Sequence, residues 1–454
     1  MVVRGNVGAF GTGERVSTQR KVLILGAAGR DFHDFNVFFR GNPAYRVIAF
    51  TAAQIPGIAG RTYPPQLAGE LYPDGIPIHP ESDLARLVKE ERIHDVVFCY
   101  SDVSHKHVMH LASIAIASGA SFRLLGPVDT MLVAPVPVIA VVAARTGGGK
   151  STLTRHLYIA LKNAGRKPAV VRHPMPYGRF DRGVECYRTP EDVVFGDLTI
   201  EEMEEYQPHV EHGAVVYAGI DYAPVLARAA AEADVILWDG GNNDMPFFRP
   251  DITITIVDPL RPGQEEEYFP GEANIRAADV LVVTKVNAAS AAQVDAAILA
   301  ARALNRRAPV VRMESIESVD DPNLIRQREV LAVEDGPSVT HGGMADAIAA
   351  RAARLLDAVL VDPRPYAVGS IARAYDEFPH IGPVLPALGY SAAQRDDLRR
   401  SIENVPCAAV LLGTPADLGK LLHITKPVAR VSAVANDVSA RSLAGIVLER
   451  LATR

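Results

Sequence analysis

Residues 136–165 read VPVIAVVAARTGGGKSTLTRHLYIALKNAG and decide the fold of the central part of the chain. The apolar run VPVIAVVAA is typical of a buried strand, and STLTRHLYIALKNAG is typical of a helix. The glycine-rich loop between them, Ala144–Ser151, matches the phosphate-binding P-loop pattern, with Ala144 in place of the first glycine. Strand, loop and helix follow one another in the order that a P-loop NTPase requires.

The loop also carries the residue types that bind a nucleotide triphosphate. Successive glycines let the backbone N–H groups point at phosphate oxygens, while Lys150 neutralises the β- and γ-phosphates and Ser151 holds Mg²⁺. Arg145 is either a charge that acts on the nucleotide of a partner subunit or a solvated surface arginine. The predicted nucleotide-binding residues of the loop are Arg145, Thr146, Gly147, Gly148, Gly149, Lys150, Ser151 and Thr152.

A second magnesium ligand is expected at the end of another strand. In ADVILWDGGNND, residues 233–244, four apolar residues run into Asp239, as in the Walker B arrangement. Asp239 is therefore predicted to bind Mg²⁺ directly or through water. Asn242 and Asn243 follow in an unusually polar turn.

Basic residues are concentrated after the strand PAVV. The segment RHPMPYGRFDRG begins at Arg172 and also contains His173, Tyr177 and Arg179, in a chain whose net charge is -6. Arginine presents a planar fork to phosphate oxygens, so this segment is predicted to bind an anionic substrate, with His173 beside the reacting phosphate. The predicted substrate-binding residues are Arg172, His173, Tyr177, Arg179, Asn242, Asn243, Asp258, Arg261 and His341, and the predicted catalytic residues are Lys150, Asp239, Arg145 and His173.

The segment VVTKVN resembles a base-reading loop. Lys285 and Asn287 are its candidate base contacts, but Thr and Asn replace the Asn and Asp of the guanine pattern N-K-x-D. Without the aspartate a bidentate hold on guanine is not assured, which favours ATP and leaves GTP as the alternative.

Length and patterning predict an α/β protein of about three domains. The chain has 454 residues, and we expect a flexible tail at 1–20, a Rossmann-like domain at 21–130, a P-loop NTPase domain with a mostly parallel sheet at 131–361, and a small C-terminal α/β segment at 362–454. The net charge gives no general attraction to nucleic acid. The absence of a long apolar run and the three scattered cysteines predict a cytoplasmic protein without a membrane span.

Five motifs in order, ARTGGGKS, RHPMPYG, WDGGNND, DPLRPGQE and EDGPSVTHGGM, resemble cyclic 2,3-diphosphoglycerate synthetase from about Lys21 to the C-terminus. That family is similar to the SIMIBI class of P-loop proteins. The resemblance implies ATP- and Mg²⁺-dependent phosphoryl transfer to a small phosphorylated acid, here the closure of 2,3-diphosphoglycerate into its cyclic phosphoanhydride. It also implies a homodimer or a higher homo-oligomer.

A different class of function remains open on the same residues. Arg145 and the TKVN segment also suit a SIMIBI-type GTPase or ATPase switch that acts through dimerisation or through a protein or metal partner. A binding module without catalysis is disfavoured, because Lys150, Ser151 and Asp239 are all present.

Overall fold

The computed structural model describes most of the chain. The described residues are 19–27, 29–53, 58–173, 180, 183–194, 196, 198–241, 243–340, 342–389 and 391–453. They form a mixed α/β structure built around two large sheets, as the sequence predicts.

The N-terminal sheet has six strands in the order β3-β4-β2-β1-β5-β7, all parallel except for the β3–β4 pair. The strands of this region are β1 (Arg20–Leu25), β2 (Tyr45–Ala52), β3 (Thr62–Tyr63), β4 (Ile76–Pro80), β5 (Asp95–Phe98), β6 (Val103–Ser104) and β7 (Ser121–Arg123). The helices are α1 (Arg30–Asp34), which continues as a π-helix over Phe35–Phe39, α2 (Pro65–Ala68), α3 (Leu84–Glu90), preceded by a 3₁₀ turn at Glu81–Asp83, α4 (His105–Ala117) and α5 (Pro127–Thr130).

The P-loop lies in the second sheet, at the end of its central strand. The strands of this part are β8 (Val138–Ala143), β9 (Pro168–Val171), β10 (Val184–Tyr187), β11 (Val216–Gly219), β12 (Val235–Trp238), β13 (Ile252–Val257), β14 (Tyr268–Phe269), β15 (Val280–Val283) and β16 (Val310–Val319). The helices are α6 (Lys150–Asn163), α7 (Pro190–Val194), α8 (Ile200–Glu211), α9 (Tyr222–Glu232), α10 (Gly271–Ala277) and α11 (Ala291–Leu304). The P-loop strand β8 pairs in parallel with β12 and β13 and is buried on both faces, which explains its continuous apolar sequence.

The C-terminal strands extend this sheet. They are β17 (Glu329–Asp335), β18 (Val359–Leu360), β19 (Leu385–Ala387), β20 (Ala409–Leu412) and β21 (Val428–Asp437). The remaining helices are α12 (Gly336–Val339), α13 (Ile348–Leu355), α14 (Gly369–Glu377), α15 (Ala392–Asn404), α16 (Leu418–Leu421) and α17 (Leu443–Ala452), with 3₁₀ turns at Pro322–Leu324 and Arg364–Tyr366. An antiparallel pair of β16 and β21 joins the two parts into a 13-stranded sheet in the order β10-β11-β9-β12-β8-β13-β15-β16-β21-β20-β17-β18, with β19 also on β17.

Several predicted elements lie where the sequence placed them. The sequence pattern of Ser290–Leu304 predicts a helix, and the structure has α11 there, with Ser290 capping it through its side chain. The apolar run at Pro309–Arg312 predicts a short strand, but β16 is much longer, because its second half pairs with β21, which lies over a hundred residues later in the chain. The predicted domain boundaries, including the one at 361/362, stay a prediction.

Within the described ranges, no helix is both long enough and apolar enough to cross a membrane.

Candidate nucleotide and substrate site

The P-loop has the backbone shape that a phosphate site needs. Gly147 and Gly149 have φ values of +78° and +99°, in the left-handed region where a side chain would be strained. Gly149 is the residue before α6, and its conformation starts the helix at Lys150. The helix N-terminus, with its unpaired N–H groups and positive dipole end, therefore lies at the loop.

Three side chains hold the carbonyl groups of the loop. Thr284 Oγ1 donates to Gly148 O at 2.8 Å, Lys285 Nζ to Gly147 O at 2.8 Å, and Arg261 Nη1 to Thr146 O at 2.7 Å. Because C=O and N–H point in opposite directions across a trans peptide, these contacts turn the neighbouring N–H groups to the other side of the loop.

Asp258 organises two of these cations. Its Oδ2 accepts a hydrogen bond from Lys285 Nζ at 2.6 Å and lies 3.9 Å from Arg261 Nε. The structure thus places Asp258 and Arg261, predicted as substrate contacts, and Lys285, predicted as a base contact, against the phosphate loop itself. Asn287 lies further away, where its amide exchanges two hydrogen bonds with the backbone of Ser315 in β16.

Lys150 is partly buried at the start of α6. Burial and the neighbouring Arg172 lower the pKa of Lys150 to about 8, although Asp239 and Asp102 oppose this shift. The ammonium group therefore lies in a region already rich in positive charge, and a phosphate group would favour its protonated form.

Asp239 is fully buried at the end of β12 and is bonded through both carboxylate oxygens. Oδ1 accepts from Thr154 Oγ1 at 2.8 Å, and Oδ2 accepts from Arg172 Nη1 and lies 2.6 Å from His209 Nε2. Burial alone would raise the pKa of Asp239, but the Arg172 guanidinium and the His209 hydrogen bond hold it below its usual range. Asp239 is thus a carboxylate anion at neutral pH.

Arg172 connects Asp239 to the proposed magnesium ligand. Its Nη1 also donates to Ser151 Oγ at 2.9 Å, and the carboxylate of Glu205 lies against its other terminal nitrogen. The Ser151 hydroxyl lies in the first turn of α6, and its predicted role as a magnesium ligand stays a prediction. Because Asp239 Oδ2 already contacts Arg172 and His209, Oδ1 is the less occupied oxygen, and the predicted contact of Asp239 with Mg²⁺, direct or through water, stays a prediction.

Asp102, in the loop between β5 and β6, connects the N-terminal part of the chain to the P-loop. Its Oδ1 accepts from Arg145 Nε at 2.7 Å and lies 3.4 Å from the backbone N of Thr146. The Arg145 guanidinium is only 8% exposed and lies 3.5 Å above the Tyr268 ring, with Gln264 as a further partner. Arg145 is therefore engaged within its own chain, and its predicted action on a partner subunit stays a prediction.

His173 lies where the N-terminal sheet meets the loop after β12. A Cβ atom on Gly29 would come within 2.1 Å of its Cε1, and one on Gly241 within 2.7 Å of its Nδ1. Both glycines are thus required by the close approach of the imidazole ring. The ring is buried, and burial lowers the pKa of His173, so it is neutral near pH 7.

The other predicted substrate-binding residues either contact the backbone of the P-loop or lie outside the described residues. Asn243 is buried and donates through Nδ2 to Ala144 O at 2.8 Å, so it supports the start of the P-loop. Four predicted substrate-binding residues, Tyr177, Arg179, Asn242 and His341, lie outside the described residues. In the part of the chain that is described, no group of three or more His, Cys, Asp or Glu side chains is arranged to hold a metal ion.

Sequence reasoning missed His209, Thr154 and Asp102. His209 follows Pro208 in α8, and Asp102 lies in the loop between β5 and β6, far from the P-loop in the chain, so neither carries a local motif. Thr154 had a usable signal, because it lies one helical turn after the Lys150–Ser151 pair.

A curated relative covers nearly the whole chain. It is 51% identical over 415 residues, which are 91% of this chain and 93% of the relative, and it is named arginine synthetase ArcE from Thermococcus kodakarensis. The chain belongs to the arginine synthetase ArcE family. The relative's name describes a synthetase and does not mention cyclic 2,3-diphosphoglycerate, so the resemblance to that second family stays a prediction.

Other comparisons add little. No family model matches the chain. Solved structures with partial likeness include LpxK from Aquifex aeolicus in complex with ATP (14% identity, 71% of this chain and 90% of that chain, TM-score 0.41). Another is a DUF1611 protein from Anabaena variabilis, with 14% identity, coverage of 59% of this chain and 75% of that chain, and a TM-score of 0.18. A third is the ligase MPL from Neisseria meningitides, with 12% identity, coverage of 65% of this chain and 78% of that chain, and a TM-score of 0.27. With TM-scores below 0.5, these likenesses carry no argument.

Proposed function

We propose that this protein is an ATP-dependent synthetase that forms arginine. The observation that carries the proposal is the 51% identity, over nearly the whole of both chains, to a protein named arginine synthetase. The nucleotide-binding residues support it independently, because Lys150, Ser151 and Asp239 lie together at one end of the parallel sheet.

The chemistry of arginine formation suits a P-loop kinase site. The guanidino carbon of arginine carries three nitrogens. In a ureido group such as that of citrulline the same carbon carries two nitrogens and one oxygen, so the third C–N bond can form only if the oxygen leaves. In our proposal the ureido oxygen of citrulline attacks the γ-phosphorus of ATP, which releases ADP and leaves phosphate on that oxygen. Ammonia then attacks the carbon and expels inorganic phosphate, and loss of a proton from the added nitrogen completes the guanidino group.

Each residue of the site has a role in this scheme. Lys150 and the N–H groups of the P-loop hold the phosphates and the charge that develops on the transferred group. Bound Mg²⁺ would neutralise the β- and γ-phosphate oxygens, with Ser151 as its protein ligand. Asp239 holds the Arg172 guanidinium beside Ser151, so that a positive charge lies next to the phosphate that forms and leaves.

The direct test is product formation by the purified protein. With ATP, Mg²⁺, citrulline and ammonium, we expect arginine and ADP in equal amounts, measured by mass spectrometry and nucleotide chromatography. Lys150→Ala should lower the rate by orders of magnitude. Replacing ATP by GTP reports the base preference. ADP formation that is independent of citrulline and ammonium would contradict the proposal.

A second candidate is the cyclisation of 2,3-diphosphoglycerate. It is favoured by the motifs RHPMPYG and DPLRPGQE, and it uses the same two steps: an oxygen accepts the γ-phosphoryl group, and a second nucleophile then displaces phosphate. The two candidates differ in the charge of the acceptor. In the same assay, phosphate release that 2,3-diphosphoglycerate stimulates and citrulline does not would select this candidate.

The nucleotide-driven switch predicts a different observable. A switch requires a homodimer or another partner whose association depends on nucleotide. Light scattering with ATP or GTP and Mg²⁺ would reveal it, and an unchanged mass in every nucleotide state would count against it.

A further inference from the structure

The surface between the N-terminal sheet and the P-loop part contains buried polar groups that the nucleotide does not explain. Three buried oxygens, Asp34 Oδ1, Asn243 Oδ1 and Asp244 Oδ1, make no well-aligned hydrogen bond among the described residues, and the Asp34 carboxyl has the weak donor of the Cys99 thiol beside it. Neither ring nitrogen of His173 makes a well-aligned hydrogen bond there, although the backbone of Gly29 lies against the ring. Buried polar atoms are normally paired, so such a group indicates a missing ligand or water.

These atoms come from two sides of one interface. Asp34 ends α1, while Asp244 follows β12 in the P-loop part. Arg30 ties the two sides together, since its Nη1 donates to Met245 O at 3.2 Å and its Nε lies 3.5 Å from Asp34 Oδ2. The two carboxylates are near enough for Asp244 to raise the pKa of Asp34, after the larger effect of burial.

His173 joins this group from the loop just after β9, which pairs with β12. The position of a Cβ on Gly241 would lie 2.7 Å from His173 Nδ1 and 3.1 Å from Asp244 Oδ2, so the two side chains meet over that glycine. Asp244 also acts electrostatically on Lys150, which places the group beside the phosphate site.

The unpartnered oxygens are all acceptors. An ionised carboxylate and an amide oxygen can only accept hydrogen bonds, and a neutral imidazole offers one acceptor nitrogen and one N–H donor. A ligand that satisfies them must bring several N–H donors, and a positive charge would compensate the carboxylates. A phosphate group brings neither.

We propose that Asp34, Asp244 and His173 form the subsite for the N–H-rich end of the amino acid. This end is the ureido group in the substrate and the guanidinium group in the product. The N-terminal part of the chain then supplies one side of this subsite, through Asp34 on α1. This inference rests on the proposed function and names its substrate contacts. It also reverses the expected role of His173, from binding a phosphate to accepting N–H groups.

Titration calorimetry with arginine tests the subsite without relying on turnover. Asp244→Asn and Asp34→Asn should each weaken arginine binding by on the order of tenfold or more, because a charge-assisted hydrogen bond is lost. ATP binding should change by less than about twofold in Asp34→Asn and should remain measurable in Asp244→Asn, which loses a charge that raises the pKa of Lys150; retained ATP binding also reports that each variant is folded. Asp74→Asn, an exposed acidic residue of the same part of the chain, is the matched control.

The outcomes separate the subsite from the proposed function. Arginine binding that both variants retain, or a wild-type protein that does not bind arginine, would overturn the subsite. A wild-type protein that binds arginine in a manner dependent on Asp244, yet forms none from citrulline and ammonium, would support the subsite and contradict the proposed reaction. If one variant fails to bind ATP, the other decides.

Discussion

Replacing Arg172 by alanine should destabilise the protein strongly, because it leaves a buried carboxylate without its main partner. Arg172 is 2% exposed and Asp239 is 0% exposed, and their closest nitrogen and oxygen are 2.6 Å apart. Removing one partner of a buried ion pair typically costs about 3–5 kcal/mol. For a domain of this size, the corresponding fall in melting temperature is on the order of 10 °C.

The pH dependence of this loss gives a second, sharper expectation. In the wild type the pKa of Asp239 lies below its usual range, so its contribution to stability is present above the unfolded pKa of about 3.9 and is lost at lower pH. Without Arg172, burial would raise the pKa of Asp239, and the folded variant would bind a proton more tightly than the unfolded chain. The difference in unfolding free energy between the two proteins should therefore shrink between pH 8 and pH 5.

Scanning calorimetry at several pH values measures both effects. Arg400→Ala is a matched control, since Arg400 is half exposed and pairs with Asp396 at 3.0 Å on the surface. Its loss should change the unfolding free energy by less than about 1 kcal/mol. Equal melting temperatures for Arg172→Ala and Arg400→Ala would refute the reasoning, and so would a difference that grows on acidification.

Three further predictions follow from individual contacts. The pKa of Lys150, lowered to about 8, implies that ATP affinity falls as the pH rises above about 8, because only the ammonium form binds phosphate well; a pH-independent dissociation constant from calorimetry would contradict this. Asp102→Ala should weaken ATP binding by roughly tenfold, since the almost buried Arg145 loses its partner beside the loop, and an unchanged affinity would remove Asp102 from the site. Glu334→Ala should lower the unfolding free energy by about 3 kcal/mol, because the Glu334 carboxylate accepts from three backbone N–H groups at the start of α13, while turnover per folded molecule stays constant.

The sequence predicted those parts of the fold that depend on local patterns. The strand before the P-loop, the loop and α6 are contiguous, and Ser290 and Ser104 mark helix starts with side chains that cap them. The joining of the C-terminal strands to the central sheet depends on the β16–β21 pair, whose two strands are far apart in the chain. No local periodicity encodes such a pairing.

The same distinction applies to the site. Lys150, Ser151 and Asp239 belong to motifs with fixed spacing, and the structure brings them together. His209 and Asp102 reach the site only through tertiary packing, so their residue types alone gave no signal. The basic character of the segment at Arg172 suggested phosphate binding, which stays a prediction, while its contact with Asp239 requires two neighbouring strands and carries no local signal.

Transfer of oxygen tests the central claim most directly. Citrulline labelled with ¹⁸O in the ureido group, incubated with the protein, ATP, Mg²⁺ and ammonium, should give arginine and an equal amount of inorganic phosphate that carries one ¹⁸O atom. This result requires that the ureido oxygen accepts the γ-phosphoryl group and leaves with it. Unlabelled phosphate, or phosphate released without arginine, would contradict phosphoryl activation at this site.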